Sequence, residues 1–419
     1  MNQQIKEKAN YCLNCKIKPC SNKGCPLNNN IPEFIKQIKE KNYSEAYKIL
    51  SETTVLQPIC GRICPHKKQC EGSCVRGIKG SAVSIGEMEA FVGDYAIQNG
   101  LKIDKQTEKM FINRKVAIVG GGPSGLTCAG FLAKKGVKVT IYERKSFLGG
   151  LLVYGIPEFR LPKDIVKSAI DKILDLGIEV KYNKELGKNL FLDNLTKEYD
   201  YVYLALGANV SSHMGIEGEQ LDGVFGGNEL LENNNHPNYK GKTVIINGGG
   251  NVAIDVARTV KRMNAGEVLI VYRRAKEQMP AEEKEVKEAE QEGIKILFQN
   301  NIVKINGEKK VNGVELIKTE LVQKEGESRL APVNIEGSNY TIKADYVIMA
   351  LGSKTDKFVS NLGLNLTNKD YIVVNDKFQT SNPKVYAGGD VVGGNGTVAW
   401  AARNGRDVAK NILEELKNI

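Results

Sequence analysis

Apolar residues follow two rhythms along this chain, and the rhythm changes near residue 110. Before that point they recur at helical spacing, in Pro32–Leu50 and again in Gly86–Asn99. From Val116 onward they gather into short runs rich in β-branched residues: 116–119, 137–142, 201–207, 242–247, 268–272, 346–352 and 384–390, the last ending in a Gly-Gly-Asp turn. Runs of this kind are expected as parallel strands buried on both faces. Between them lie the helical stretches 126–135, 163–176, 253–263, 281–291 and 397–416. Acidic and basic residues four apart mark 281–291 as a charged helix with a solvated face. Residues 301–345 predict short strands and turns, and the polar stretch 102–115 predicts a linker lying on the domain that follows.

Two of the strands run into glycine loops. After Val119 come Gly120, Gly122 and Gly125 at the spacing of a dinucleotide fingerprint. There the first glycine allows the turn, the second a close approach to pyrophosphate, and the third tight helix packing, with helix amides aimed at the phosphates. Glu143 ends the next strand, where a carboxylate accepts bonds from ribose hydroxyls. The pattern repeats at Gly248-Gly249-Gly250-Asn251-Val252-Ala253, with Ala253 in place of the third glycine. The strand after this loop ends in Arg273-Arg274 with no acid, and two guanidiniums suit a 2′-phosphate. The run 346–352 (YVIMALG) looks like the counterpart of 201–207 (YVYLALG). The expected fold is therefore α/β: two Rossmann-like dinucleotide-binding domains, one inserted in the other, after a small all-α domain. The expected boundaries are 1–110 for the helical part, 111–230 for the first nucleotide domain, 231–345 for the second, and 346–419 for the return to the first.

The cysteines change the reading of the helical part. Eight of nine lie between Cys12 and Cys74, as Cys12, Cys15, Cys20, Cys25 and then Cys60, Cys64, Cys70, Cys74. No secretory leader pattern precedes them and no apolar run reaches membrane length, so a cytoplasmic chain is expected. In a reducing compartment such a cluster signals metal or redox chemistry. Two cubanes of four thiolates each would use all eight; two Cys₄ zinc sites are the rival, in a zinc-stapled nucleotide-binding regulatory protein. His66 reads as a surface or supporting residue, Cys128 as core. The second nucleotide fold carries no Cys-x-x-Cys, which excludes a dithiol exit there. The formal charge of +10 is scattered and not interleaved with aromatics, so nucleic acid is not the expected partner, whereas an acidic protein remains open.

The motifs CLNC, CGRICPHKKQCEGSCV, VAIVGGGPSG, LGGLLVYGIPEFRLPK, INGGGNVAIDVARTVKR, VYRR and YAGGDVVGG together resemble the small (β) subunit family of NADPH-dependent glutamate synthases, over nearly the whole chain. The first half of dihydropyrimidine dehydrogenase and the large subunit of NADH-dependent ferredoxin–NADP oxidoreductase share the plan. The resemblance implies FAD on the first fold, near Gly120, Gly122, Pro123, Ser124, Gly125, Glu143, Arg144, Gly150, Leu151, Arg160, Leu186, Gly389, Asp390, Thr397 and Val398. It implies NADPH on the second, near Gly248, Gly249, Gly250, Asn251, Val252, Arg273, Arg274, Ala350 and Gly352. It also implies two [4Fe-4S] clusters with interleaved ligands. Cys12, Cys15, Cys20 and Cys74 would hold one; Cys25, Cys64, Cys70 and Glu89 would hold the other, leaving Cys60 spare. No catalytic acid or base is implied, because hydride passes directly between bound cofactors. The implied activity is electron transfer from NADPH to a larger FMN-containing partner subunit. A dihydropyrimidine-reducing subunit and a bifurcating flavin subunit are the alternatives.

Overall fold

The computed structural model describes residues 2–323 and 330–419. The chain forms two compact units, Met1–Ala208 with Lys357–Ile419, and Asn209–Asp356.

The first unit begins with helices α1 (Asn2–Asn10), α2 (Ile31–Lys39), α3 (Tyr43–Ser51), α4 (Gln57–Ile63) and α5 (Ile85–Gln98). The apolar stretch 32–50 is thus two helices, parted where Lys41 takes a left-handed φ of 63°. Phe34, Ile35, Ile38, Leu50, Met88 and Val92 form their sealed core. Helices α4 and α5 cross at two glycines. A Cβ on Gly61 would overlap the Ala90 backbone, and one on Gly93 would overlap Pro58. This crossing sets Cys64, which caps the C-terminal end of α4, beside Glu89 of α5.

The stretch 102–115 lies where expected. The amides of Gln106 and Glu108 donate to the carbonyls of Lys134 and Lys135, and Phe111 is buried. Then follow β1 (Lys115–Val119), α6 (Pro123–Lys134), β2 (Lys138–Tyr142), α7 (Leu151–Tyr154), α8 (Lys163–Leu174), β3 (Glu179–Lys181), α9 (Leu192–Glu198) and β4 (Tyr201–Leu204).

The second unit contains β5 (Val210–Ser211), β6 (Val224–Gly226), α10 (Gly227–Asn233), β7 (Thr243–Asn247), α11 (Asn251–Arg262), β8 (Glu267–Tyr272), α12 (Glu283–Gln291) and β9 (Lys295–Phe298). It continues with β10 (Asn300–Gly307), β11 (Val311–Val322), β12 (Ala331–Asn334), β13 (Tyr340–Lys343), β14 (Tyr346–Met349) and β15 (Ser353–Lys354). The first unit resumes with β16 (Val385–Ala387) and α13 (Val398–Leu416).

Two five-stranded parallel sheets result, ordered β16-β4-β1-β2-β3 and β6-β14-β7-β8-β9. In each, the fingerprint strand (β1 or β7) lies between its successor and a strand of the YVxxALG type (β4 or β14), as the internal repeat predicts. The unit boundaries differ from the sequence expectation. Val224–Gly226 and Tyr346–Met349 are strands of the second sheet, so the second unit runs from 209 to 356 rather than from 231 to 345. A strand belongs to the sheet that hydrogen-bonds it, and an apolar run does not name its neighbours. The stretch 301–345 also departs from expectation, because β11 is 12 residues long and pairs antiparallel with β10, β12 and β13. Residues 324–329 of that stretch lie outside the described residues.

Helix α13 lies directly on α6. A Cβ on Gly405 would overlap the carbonyl oxygen of Ser124, so only glycine permits this approach. Cys128 sits in the same interface, fully buried, as core. Among the described residues no helix is long and apolar enough to cross a membrane.

Candidate functional site

The C-terminal ends of the first sheet converge on the glycine loop after β1. Gly120 has φ 103°, and a Cβ on it would meet the Ala205 carbonyl of the neighbouring strand. A Cβ on Gly125 would overlap the Gly120 carbonyl oxygen, so this glycine lets α6 start against the loop. Gly122 is extended and faces Gly150, which has φ 51°; a Cβ on Gly150 would lie 3.0 Å from the Gly122 Cα. The Gly149 amide donates to the Gly121 carbonyl at 2.8 Å. Two backbones without side chains therefore face one another at the start of α6, a cradle that a pyrophosphate fits and a methyl group would fill.

Glu143 stands at the end of β2 as expected, and it has a further task. One carboxylate oxygen accepts the Gly121 amide at 2.8 Å and the other the Lys145 amide at 2.9 Å. The residue is 6% exposed. It orders the glycine loop, a task beyond the ribose contact expected of it. Arg144 is half-buried beside it.

From β16 the chain turns through Gly389, whose amide donates to Asn404 Oδ1 at 3.0 Å and whose Cβ position is 3.3 Å from Ser124 Cβ. Asp390 follows, and burial raises its carboxyl above the ordinary range. Thr397 caps α13 by accepting the Trp400 amide, and Val398 opens the helix. These residues and the loop share one end of the sheet. Leu151 opens the short helix α7, and Arg160 lies in the turn that follows it, its amide bonded to the Pro157 carbonyl. Leu186 is packed in the core, so only its backbone is available to a ligand.

The second unit repeats the device. A Cβ on Gly248 would overlap the Ala350 carbonyl, one on Gly249 would run into the Tyr272 ring, and one on Gly250 would meet nothing within 4 Å. The open position is the one where α11 begins, as an approaching phosphate requires. Asn251 Oδ1 accepts the Glu282 amide at 3.0 Å, and Val252 follows it in the first turn of the helix. Gly352, after β14, has φ 121° and open space at its Cβ position. Arg273 is exposed at the end of β8. Arg274 is instead partly engaged, with Nε donating to the Leu330 carbonyl at 3.2 Å.

Helix α12 has the expected solvated face, where Lys284 and Lys287 pair with Glu288 and Glu283 four residues away. Its other face was not foreseen: Glu285, Glu288 and Glu292 converge on Arg258 of α11, whose side chain is 4% exposed. The sequence places these charges on helices but does not show that two helix faces meet.

The cysteines do not group in chain order. Cys12, Cys15, Cys20 and Cys74 line one recess walled by Ile31, Ile35, Val83 and Ile85. Burial pushes the Cys20 thiol up to about 11 against donation from Ser21, and Cys12 and Cys74 add to it. Burial also raises Cys12, with Cys15 and Cys74 as charged neighbours, while the Asn14 amide donates to its sulfur at 3.5 Å. The remaining four gather elsewhere. Burial and then Glu89 drive Cys25 up to about 12 and raise Cys70 strongly. Cys64 is raised by a hydrogen bond with Cys60, then by burial, then by Cys60, Glu89 and Cys70 as charges. Glu89, 5% exposed and raised to about 8 by burial, accepts one bond from Asn29 Nδ2 at 3.2 Å. Plain solvated charge describes Glu87, which is exposed and pairs with Lys8, but not Glu89. His66 shares a bond with the Cys60 carbonyl at 3.2 Å and lies against Gly86. Soft thiolates arranged in two groups fit iron–sulfur clusters by donor chemistry. Among the described residues no three of His, Cys, Asp and Glu are spaced to hold a single metal ion.

Sequence reading missed the residues that join the cysteine region to the first sheet. On α13, Arg403 Nη1 donates to the Pro26 carbonyl at 2.7 Å and to Asn28 Oδ1 at 2.8 Å. Arg406 Nη1 donates to the carbonyls of Leu27 at 2.5 Å and Thr53 at 3.3 Å. The loop carrying Cys25 is thereby held to the helix that packs against the start of α6 at Gly405 and Ser124. Arg406→Ala leaves these carbonyls without a charged donor, at a cost of about 1–3 kcal/mol. The expected result is faster amide exchange at residues 25–30, measured by hydrogen exchange with mass spectrometry.

Residues 114–405 match the family described as pyridine nucleotide-disulphide oxidoreductase. Residues 1–101 match the family described as dihydropyrimidine dehydrogenase domain II, 4Fe-4S cluster. The glutamate synthase [NADPH] small chain of Escherichia coli strain K12 is 36% identical over 435 aligned residues, covering 99% of this chain and 92% of that one. The chain belongs to the glutamate synthase small-chain family. As in that family, a 4Fe-4S domain precedes an FAD- and NADP-binding oxidoreductase fold. The beta subunit of the NADP(+)-dependent formate dehydrogenase of Moorella thermoacetica is 34% identical over 95% of this chain, which spans only 60% of it. The fold is shared with Mycobacterium tuberculosis FprA, solved in complex with NADPH, at 20% identity and a TM-score of 0.65 over 73% of this chain and 85% of that one.

Proposed function

We propose that the chain is the electron-input subunit of a glutamate synthase, drawing electrons from NADPH through FAD and two [4Fe-4S] clusters to a larger FMN-containing chain in a cytoplasmic hetero-oligomer. The observation that carries this reading is the interleaving of the cysteines. Cys12, Cys15, Cys20 and Cys74 would hold one cluster. Cys25, Cys64 and Cys70, with Glu89, would hold the other, on the side of the domain that Arg403 and Arg406 hold to the flavin fold. FAD, when bound, accepts electrons in pairs and releases them singly.

The protein's residues supply position and field. Gly122, Gly150 and the first amides of α6 would seat the pyrophosphate of FAD, with Glu143 holding the loop and standing where it would accept from the ribose. The amide end of α13 favours negative charge on a group held beside it. Arg273, exposed at the end of β8, would meet the 2′-phosphate of NADPH, with the outer nitrogens of Arg274 behind it.

Cys60 and Glu89 both stand by the second group, and they are separated by iron content. Anaerobically purified protein is expected to hold eight iron atoms per chain if both clusters are cubanes. Glu89→Ala should lose about half of that iron and Cys60→Ala should keep it. The reverse outcome assigns Cys60 as the ligand. Protein that holds zinc and no iron, and whose flavin stays yellow under NADPH, refutes the whole reading.

A further inference from the structure

Ile17 is 82% exposed and Ile78 is 77% exposed, the two most exposed large apolar side chains among the described residues. Both border the same feature. Ile17 lies in the loop between Cys15 and Cys20, and Ile78 ends the turn that begins at Val75, directly after Cys74. All three cysteines line the first recess, and Leu13 and Val75 line it too. Leu13, Val75 and Tyr11 are likewise more than a third exposed, and Arg76 stacks on the Tyr11 ring at 4.3 Å while donating to its carbonyl. Two exposed apolar side chains, Leu13 and Val75, therefore line a recess that holds four thiols, and three more, Tyr11, Ile17 and Ile78, follow or precede its cysteines within four residues along the chain.

The charge around this recess is one-sided. Residues 11–30 contain three lysines and no acid, and residues 61–84 contain five lysines and arginines, of which Arg62 is already paired with Asp94, against Glu71 alone. These two stretches hold most of the chain's excess of ten positive charges. Lys16 and Lys79 are exposed directly beside Ile17 and Ile78. Glu71, the single acid of these stretches, has one carboxylate oxygen tied to the Gly86 amide. Exposed apolar groups inside a charged rim are the pattern of a protein interface, with the rim setting partner choice and encounter rate.

We infer that the surface around the Cys12, Cys15, Cys20 and Cys74 recess is the docking face for the electron-accepting protein, and that the accepting face is apolar at its centre and acidic at its rim. The inference rests on the proposed export of electrons to a larger chain and adds where that chain binds and by what chemistry. Apolar contact there excludes water between donor and acceptor, and the lysines bring an acidic face into register.

The test uses the holoenzyme with two surface variants, Ile17→Ser/Ile78→Ser and Lys16→Glu/Lys79→Glu. The first probe is the large chain of E. coli glutamate synthase, with affinity measured by calorimetry at two salt concentrations. Both variants are expected to bind about tenfold or more weakly, and the charge variant is expected to lose most of the salt dependence. Iron content and the rate of flavin bleaching by NADPH should not change. Unaltered affinity of both variants overturns the docking face. If wild-type protein does not bind the large chain, the partner reading fails, and the docking face is judged with an acidic [2Fe–2S] ferredoxin as electron acceptor. Slower ferredoxin reduction by both variants supports the face. Equal rates overturn it, as does a wild type that engages neither probe.

Discussion

Gly125→Val is expected to yield a folded chain that retains its iron and binds no FAD. A Cβ at position 125 overlaps the carbonyl oxygen of Gly120, and neither atom can move cheaply, because both belong to the turn that joins β1 to α6. The first turn of α6 must retreat, and its amides then miss the pyrophosphate. Hydrogen bonds to a charged group contribute about 1.5–3 kcal/mol each, so losing two weakens FAD by roughly a hundredfold to ten-thousandfold. Flavin released on denaturation and iron from the same sample give the two readouts. A variant with flavin near one equivalent per chain would show that the loop does not seat the pyrophosphate. Gly250→Ala is the matching control in the second unit, where a Cβ meets nothing within 4 Å and apo stability should be unchanged.

The second large effect is on stability. Arg258→Met should destabilise the second unit by about 3–5 kcal/mol, since removing one side of a buried ion cluster leaves the other uncompensated. Arg258 Nη1 bonds Glu285 at 2.5 Å, and Nη2 bonds both Glu288 and Glu292 at 2.9 Å. Chemical denaturation followed by circular dichroism measures the loss. The pH dependence has a definite sign. Burial opposes the charge on Glu292, but bonds from Arg262 and Arg258 outweigh it and hold its carboxyl below the ordinary 4.5. Its contribution is therefore complete above that value and disappears as pH falls through the lower, folded one. The variant should lose part of this acid sensitivity. A variant as stable as wild type at pH 7 would mean that the carboxylates are solvated and the cluster contributes little.

The sequence carries the strands and glycine loops almost intact, because their signals are local. An apolar run, a glycine at a fixed offset and a terminal acid all lie within some thirty residues. The Glu143 position and the counterpart runs 201–207 and 346–352 were legible for that reason. What escaped depends on contacts distant in the chain. Counting cysteines in order pairs Cys25 with Cys20, and only the family resemblance, not the spacing, suggests the interleaving in which Cys74 joins the first group and Cys25 the second. From the residues alone Glu89 is an ordinary helix charge; the crossing of α4 and α5 at Gly61 and Gly93 is what buries it. Arg258 sits in an amphipathic stretch with nothing local to mark it as buried. The domain boundary was misplaced for a related reason, since β6 and β14 declare their sheet only by pairing.

The arginine clamp on α13 has a consequence for biogenesis. Arg403 lies 377 positions downstream of Pro26, the carbonyl it holds. At about 5–20 residues per second of translation, the loop bearing Cys25 emerges from the ribosome roughly 20–75 s before its anchor does. During that interval the cysteine domain stands without the helix that seats one of its loops, open to whatever delivers metal and sulfide. Emergence of α13 then closes it.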